Sequence, residues 1–297
     1  MRIGERGWRE VCGPLENEHG ELISASSYNS ALPGAGGNNV FDIWRTLLLI
    51  IVIVTVSLAF LMLVYRLWPV EQRRPHNDLI GWQITVLGTT YAVIIGFMLY
   101  AVWTSFEVAN GNAEAEANCL VNMVRSAQGL PDAQRQVIQD LAKEYVDLML
   151  TEEWPAMGRV SVTYSSDSTL RKLWAAVTEA ESRTSSEQTS RDHTFTELSK
   201  MTEHRRLRQL EVISDFPGIL WSVLIAGAVV TIVSACLFGA ANLKLHFIQV
   251  GALSLLVALI LAAIADINRP FQGSVHVLPL GFESARDTLE RLNWGKR

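Results

Sequence analysis

The stretch GFMLYAVWTSFEVANGNAEAEANCL, residues 96–120, begins as membrane-grade apolar sequence and ends as an alternation of alanine and carboxylate. No proline interrupts the chain from Trp82 to Arg125, so a single helix of ~65 Å is allowed at a rise of 1.5 Å per residue. At 100° per residue, one face of that helix collects Trp82, Thr85, Thr89, Val93, Gly96, Tyr100, Trp103, Glu107, Asn110, Glu114, Asn118, Val121 and Arg125. The opposite side, Ala109, Ala113, Leu120, Met123 and Ala127, is small and apolar and suits close packing against other helices. The stretch therefore predicts a membrane helix that runs on, unbroken, as an acidic stalk.

Composition agrees. The chain has 297 residues, 49% of them hydrophobic and only 19% charged, which points to a membrane class. Four stretches are long and apolar enough to cross a bilayer: residues 43–65, 79–106, 217–239 and 245–265. Trp44, Trp68, Trp82, Trp103 and Trp221 fall near span ends, where interfacial aromatic belts lie. The expected fold is all-α and polytopic, with first hairpin 41–106, second hairpin 217–265, a helical insert at 107–216 and a C-terminal tail at 266–297. Residues 1–40 read as a flexible leader; their basic residues precede no apolar core, so a signal peptide is not expected.

Four spans place both termini and the insert on one side. That side has the larger juxtamembrane count of Lys and Arg, so termini and insert are expected in the cytoplasm. Within the insert, LPDAQRQVIQDLAKEYVDLMLTEEW carries Val137, Leu141, Tyr145 and Leu148 at helical spacing and is expected to end at Trp154–Pro155. A second segment repeats the pattern with Leu170, Leu173, Trp174 and Val177. TSSE (184–187) has capping-box spacing ahead of a long charged helix that reaches Phe216.

Around a symmetry axis, the semi-polar face with Thr89, Val93, Gly96, Tyr100, Trp103, Glu107, Glu114 and Asn118 would line a water-filled path. Rings of Glu107 and Glu114 would favour cations. The same carboxylates also read as the solvated face of a helix that has left the bilayer. His76 and Asp78, with Asn242 and His246 on the same membrane side, are candidates for a small ligand or ion site; Asn77 or Asp78 reads equally as a helix cap. Asp266 and Arg269 suggest an ion pair, or a turn fixed by Pro270 and Gly273. The cluster Arg205, Arg206 and Arg208 is expected to meet anionic headgroups or the Glu107–Glu114 face, and His193 and His204 are expected in solvent.

Function classes narrow by exclusion. A net charge of −5 gives nucleic acid no electrostatic support. Cys12, Cys119 and Cys236 form neither a CxxC pair nor a disulfide framework. Nucleophile-elbow, zincin and phosphate-loop patterns are absent, so no catalysis, cofactor or bound metal is expected.

The order of HNDLIG (76–81), EAEANCL (114–120), GLP (129–131), EEWPAM (152–157), RRLR (205–208), FGAANLKLH (238–246) and DINRPFQG (266–273) resembles the bestrophin-like domain family over residues 76–279. Asn268 stands where the pattern suggests a more apolar residue. The resemblance implies kinship with bestrophins, oligomeric four-span channels whose second span lines the pore. It also implies a bacterial inner-membrane location, with the lipid bilayer, further copies of the chain and small inorganic ions as partners. A non-conducting scaffold or sensor, whose insert binds a cytosolic partner, is the rival reading.

Overall fold

The computed structural model describes residues 36–159 and 161–292, with side chains from Trp44 onward. Residues 1–35 of the expected leader lie outside the described residues. The chain divides into units Met1–Trp44 and Arg45–Arg297, and the second holds the packing that positions the site.

All regular structure among the described residues is helical. Helix α1 spans Gly36–Leu67, and two short turns, Val70–Arg73 and Arg74–His76, lead into α2, Asn77–Ser126, a helix of 50 residues. The insert follows as α3 (Asp132–Leu148), α4 (Asp167–Thr178) and α5 (Ser185–Ile213). Helices α6 (Gly218–Leu237) and α7 (Leu243–Ile267) form the second hairpin, and α8 (Leu280–Arg291) ends the described fold. Four of these, α1, α2, α6 and α7, contain stretches long and apolar enough to cross a membrane.

Local chemistry sets the helix ends. The Thr184 hydroxyl accepts from the Glu187 amide at 3.2 Å, and the Glu187 carboxylate accepts from the amides of Arg183 and Thr184 at 2.6 and 3.1 Å, completing the expected box. The two amides, Arg183 first, hold that exposed carboxyl below its usual range. Pro217 starts α6 and Asn242 caps α7. Trp154–Pro155 does not end its helix: a five-residue π turn, Met149–Glu153, carries the chain on to Met157. A widened turn ahead of a proline relieves its clash with the preceding carbonyls. The buried face of α3 is Ile138, Ala142, Tyr145 and Val146, about one residue round from the expected stripe, and Val137 is exposed. Ala142, lacking bulk, marks where the neighbouring helices approach.

Two cores result. In the membrane half, Leu61, Tyr91, Ile95, Leu224, Val250 and Val257 join the four spans. In the insert, Leu120, Met123, Tyr145, Leu173, Leu198 and Phe282 join the lower half of α2 to α3, α4, α5 and α8. Within the expected C-terminal tail, Phe282 and Leu289 of α8 are buried, each contributing about 1.5–3 kcal/mol by burial. Gly227 lets α6 close on α2: a Cβ there would sit 2.5 Å from the Tyr91 ring, whose hydroxyl donates to the Leu224 carbonyl at 3.0 Å.

The centre of the insert is ionic. Arg208 donates to both oxygens of Glu116, from Nε at 2.7 Å and Nη2 at 3.3 Å, and reaches Glu153 at 3.5 Å. Arg205 donates to Glu153 at 3.1 Å, Asp167 at 2.7 Å and the Tyr145 hydroxyl at 3.0 Å, and also to the Ser166 hydroxyl. Ser166 in turn donates from its amide and hydroxyl to Glu153, and Tyr145 donates to Glu116 at 2.5 Å. Glu116 and Arg208 are 0% and 1% exposed. Burial first, then the Glu116 charge, pushes the Tyr145 phenol far above its usual range, so it remains a donor. Burial alone would lower Arg208; the adjoining Glu116 carboxylate more than offsets it and holds the guanidinium above its ordinary value. Two buried cations thus face two buried carboxylates, with half-exposed Asp167 at the rim.

Breaking such a pair from one side strands a charge in a dry core. Glu116→Ala should cost ~3–5 kcal/mol and Asp167→Asn ~1 kcal/mol or less, read as losses of thermal midpoint in the purified protein. Replacing both members, Glu116→Leu with Arg208→Met, should recover most of the loss. Gly227→Leu should overpack α2 against α6 at ~1–3 kcal/mol, in the same measurement.

Candidate functional site

The acidic stalk and its membrane continuation present one open face. Thr89, Val93, Gly96, Tyr100, Trp103, Glu107, Glu114 and Asn118 are all exposed along α2, whereas Ala109, Ala113, Glu116, Leu120 and Met123 are buried behind them. Stripe and packing face therefore divide the helix as periodicity predicts as far as Asn118; beyond it Val121, expected on the stripe, turns into the core of the insert. On the open face, the Thr89 hydroxyl is satisfied within the helix, donating to the Thr85 carbonyl at 2.8 Å. Nothing stands within 4 Å of a Cβ built on Gly88, Gly96 or Gly111. Trp103 lies on Phe106, centroids 5.7 Å apart and planes 25° apart. Asn110 donates to Glu114 at 3.1 Å, which orients that carboxylate. Glu107 and Glu114, seven residues apart, are ~10 Å apart along the axis.

The basic cluster does not meet this face. Arg205 and Arg208 are buried in the ionic centre, and only Arg206 is exposed. The reason is angular: Glu116 is two residues beyond Glu114, about 200° around the helix, and so points inward where Glu114 points out. Residues three apart on α5 share a face, so Arg205 and Arg208 enter together. A carboxylate among Ala109, Ala113 and Leu120 was the available sign that a buried cation had to answer it. His204, expected in solvent, is half-buried, with Nδ1 3.2 Å from the Asn112 side-chain oxygen.

On the short-connection side, His76, Asp78, Asn242 and His246 are not brought to one site. His76 and Asp78 are exposed, and Asn242 accepts from the Leu245 amide as a helix cap. His246 is buried, 3.0 Å from the Tyr65 hydroxyl through Nδ1 and 3.0 Å from the Ala235 carbonyl through Nε2. Neither Asn77 nor Asp78 caps α2. Asn77 clamps Gly239 across the two connections instead, accepting from its amide at 2.8 Å and donating to its carbonyl at 3.2 Å. Arg73 is fully buried, its guanidinium 4.4 Å over the Tyr65 ring and donating to the Cys236 carbonyl at the end of α6. A cation there opposes the negative end of the helix dipole. Among the described residues, no three His, Cys, Asp or Glu side chains gather as metal ligands.

Leaving α7, Asp266 closes a turn by accepting from the amides of Ser274 and Val275 at 2.9 and 3.0 Å. Gly273 has φ +81°, and a Cβ there would collide with the Asp266 carboxylate. Asn268 donates to Asp215 at 3.3 Å, tying the exit of α7 to the α5–α6 junction, which a more apolar residue would not do. Arg269, exposed, lines a small cleft there with Glu211 and Phe271; burial pushes the Glu211 carboxyl up.

Five of the quoted motifs thus meet: HNDLIG with FGAANLKLH through Asn77 and Gly239, and RRLR with both EAEANCL and EEWPAM through the ionic centre. The sequence model of the Bestrophin-like domain matches residues 51–282. Among curated proteins, none matches the chain. Two crystal structures of point variants of a bacterial bestrophin homologue from Klebsiella pneumoniae share the fold. One is 12% identical with TM-score 0.59, covering 86% of this chain and 99% of that one. The other is 14% identical with TM-score 0.59, covering 84% and 98%. A further solved structure, described as a membrane protein, is 12% identical with TM-score 0.57, covering 84% and 98%. With the family's sequence model spanning most of its length, this chain belongs to the bestrophin-like domain family.

Proposed function

We propose that the protein is an oligomeric ion channel of the bacterial inner membrane, with α2 lining a cation-favouring pore and the termini and insert in the cytoplasm. The observation that carries this reading is the continuous open face of α2, from Thr89 to Asn118, backed along its length by packed helices. A packed helix that leaves one face uncovered from membrane to cytoplasmic depth has the form of a pore wall awaiting its symmetry mates. Copies of the chain arranged about an axis along this face would stack Glu107 and Glu114 as two carboxylate rings. Such rings concentrate cations and repel anions within a narrow, low-dielectric path. Tyr100 and Trp103, just above them, form the constriction, and Gly96 leaves room for close approach. Kinship with bestrophins supports the oligomer and the pore-lining role of the second span. The cation preference rests on the carboxylates alone. Arg206 remains available for anionic headgroups.

The rival is a scaffold or sensor in which Glu107 and Glu114 are simply solvated. Flux from proteoliposomes under K⁺ and Cl⁻ gradients separates the two. Wild-type protein should pass K⁺ in preference to Cl⁻, and Glu107→Gln with Glu114→Gln should reduce the flux or abolish the preference. Folded, oligomeric protein that gives no flux above empty liposomes would favour the scaffold.

A further inference from the structure

Phe106 lies beside the open face of α2 and joins Trp103 to a cluster of the insert. Phe106 is half-buried, one side carrying the exposed Trp103 indole, the other packed on a cluster with Ala109, Met157, Val212, Phe271 and Val277. That cluster touches the ionic centre and the exit of α7. Met157 accepts from Arg208 through its sulfur at 2.9 Å. Phe271, at the exit of α7, meets Trp154 edge-on at 5.7 Å, and Trp154 meets Phe282 of α8 at 5.9 Å. Trp103 itself has no part in this core; 47% of it is exposed. Its orientation is therefore set by a neighbour whose own position the insert dictates.

We infer that Phe106 is a positioning residue: by stacking on Trp103 it holds the indole against the flank of α2, and through it the insert sets the width of the constriction. This rests on the pore reading of α2. An indole has few staggered rotamers, so losing the stack exchanges one fixed position for several, some of them directed toward the axis. A packed cluster shifts between discrete arrangements rather than yielding continuously, which lets a change at the α7 exit or the π turn reach Trp103 as a step.

The test is K⁺ flux and K⁺/Cl⁻ preference in proteoliposomes for wild type, Phe106→Ala, Trp103→Ala and the double variant, all checked for folding and oligomeric state. Phe106→Ala should lower K⁺ flux by about 2- to 30-fold, the range over which coupling residues act, and leave the ion preference unchanged. Adding Trp103→Ala should restore the flux, because the freed indole is the obstruction. Unchanged flux in Phe106→Ala, or a loss that Trp103→Ala does not rescue, would overturn the inference in favour of plain structural support. Glu107→Gln with Glu114→Gln, run in parallel, judges the pore reading separately. If that variant keeps its preference while the rescue succeeds, the acidic lining fails and the lever stands. Wild-type protein without flux overturns both.

Discussion

The buried pair of Glu116 and Arg208 is the constraint on which the arrangement of α2 depends. Glu116 is on a helix that must also serve the membrane, and Arg208 is on α5, which ends at Ile213, just before the second hairpin. Joining them through two hydrogen bonds fixes the rotation of α2 about its own axis. Once Glu116 points inward, Glu107 and Glu114 must point outward, because the helix offers no other geometry. The ionic centre does not conduct in this account. It determines which carboxylates face solvent and which are consumed by structure.

A second set of contacts fixes the same helix at its other end. Asn77 holds Gly239, Arg73 reaches the end of α6, and Tyr91 lies against Gly227. These contacts use backbone groups and a glycine rather than carboxylates; the buried Arg73 guanidinium is held by the Cys236 and Phe238 carbonyls and the Tyr65 ring. Pinned at both ends and unbroken between them, the 50 residues of α2 can act as one rod.

The fold was largely legible because bilayer length and helical period are strong physical signals. The four spans, the break-free second helix and the split between an alanine-rich face and a carboxylate face follow from them, and the Thr184 box follows from capping chemistry. What escaped were features decided by tertiary partners. Glu116 and Glu114 look alike in EAEANCL, and only 200° of helix separates a structural carboxylate from an exposed one. Arg205 and Arg208 look like a headgroup-binding cluster until buried acids are placed opposite them. The π turn let Trp154–Pro155 continue a helix that proline normally stops, and the tail proved to be a helix because Phe282 and Leu289 had a core to enter. Asn77 has the composition of a cap and the job of a clamp, a choice made by Gly239, 162 residues away.

The central claim is that the open face of α2 surrounds an axis. Single-particle imaging of the full-length protein in lipid nanodiscs tests it most directly. The expected result is a rotationally symmetric assembly in which Thr89, Val93, Tyr100, Trp103, Glu107 and Glu114 of every copy face the axis. A monomer, or an assembly in which that face meets lipid and bulk solvent at its periphery, would contradict it.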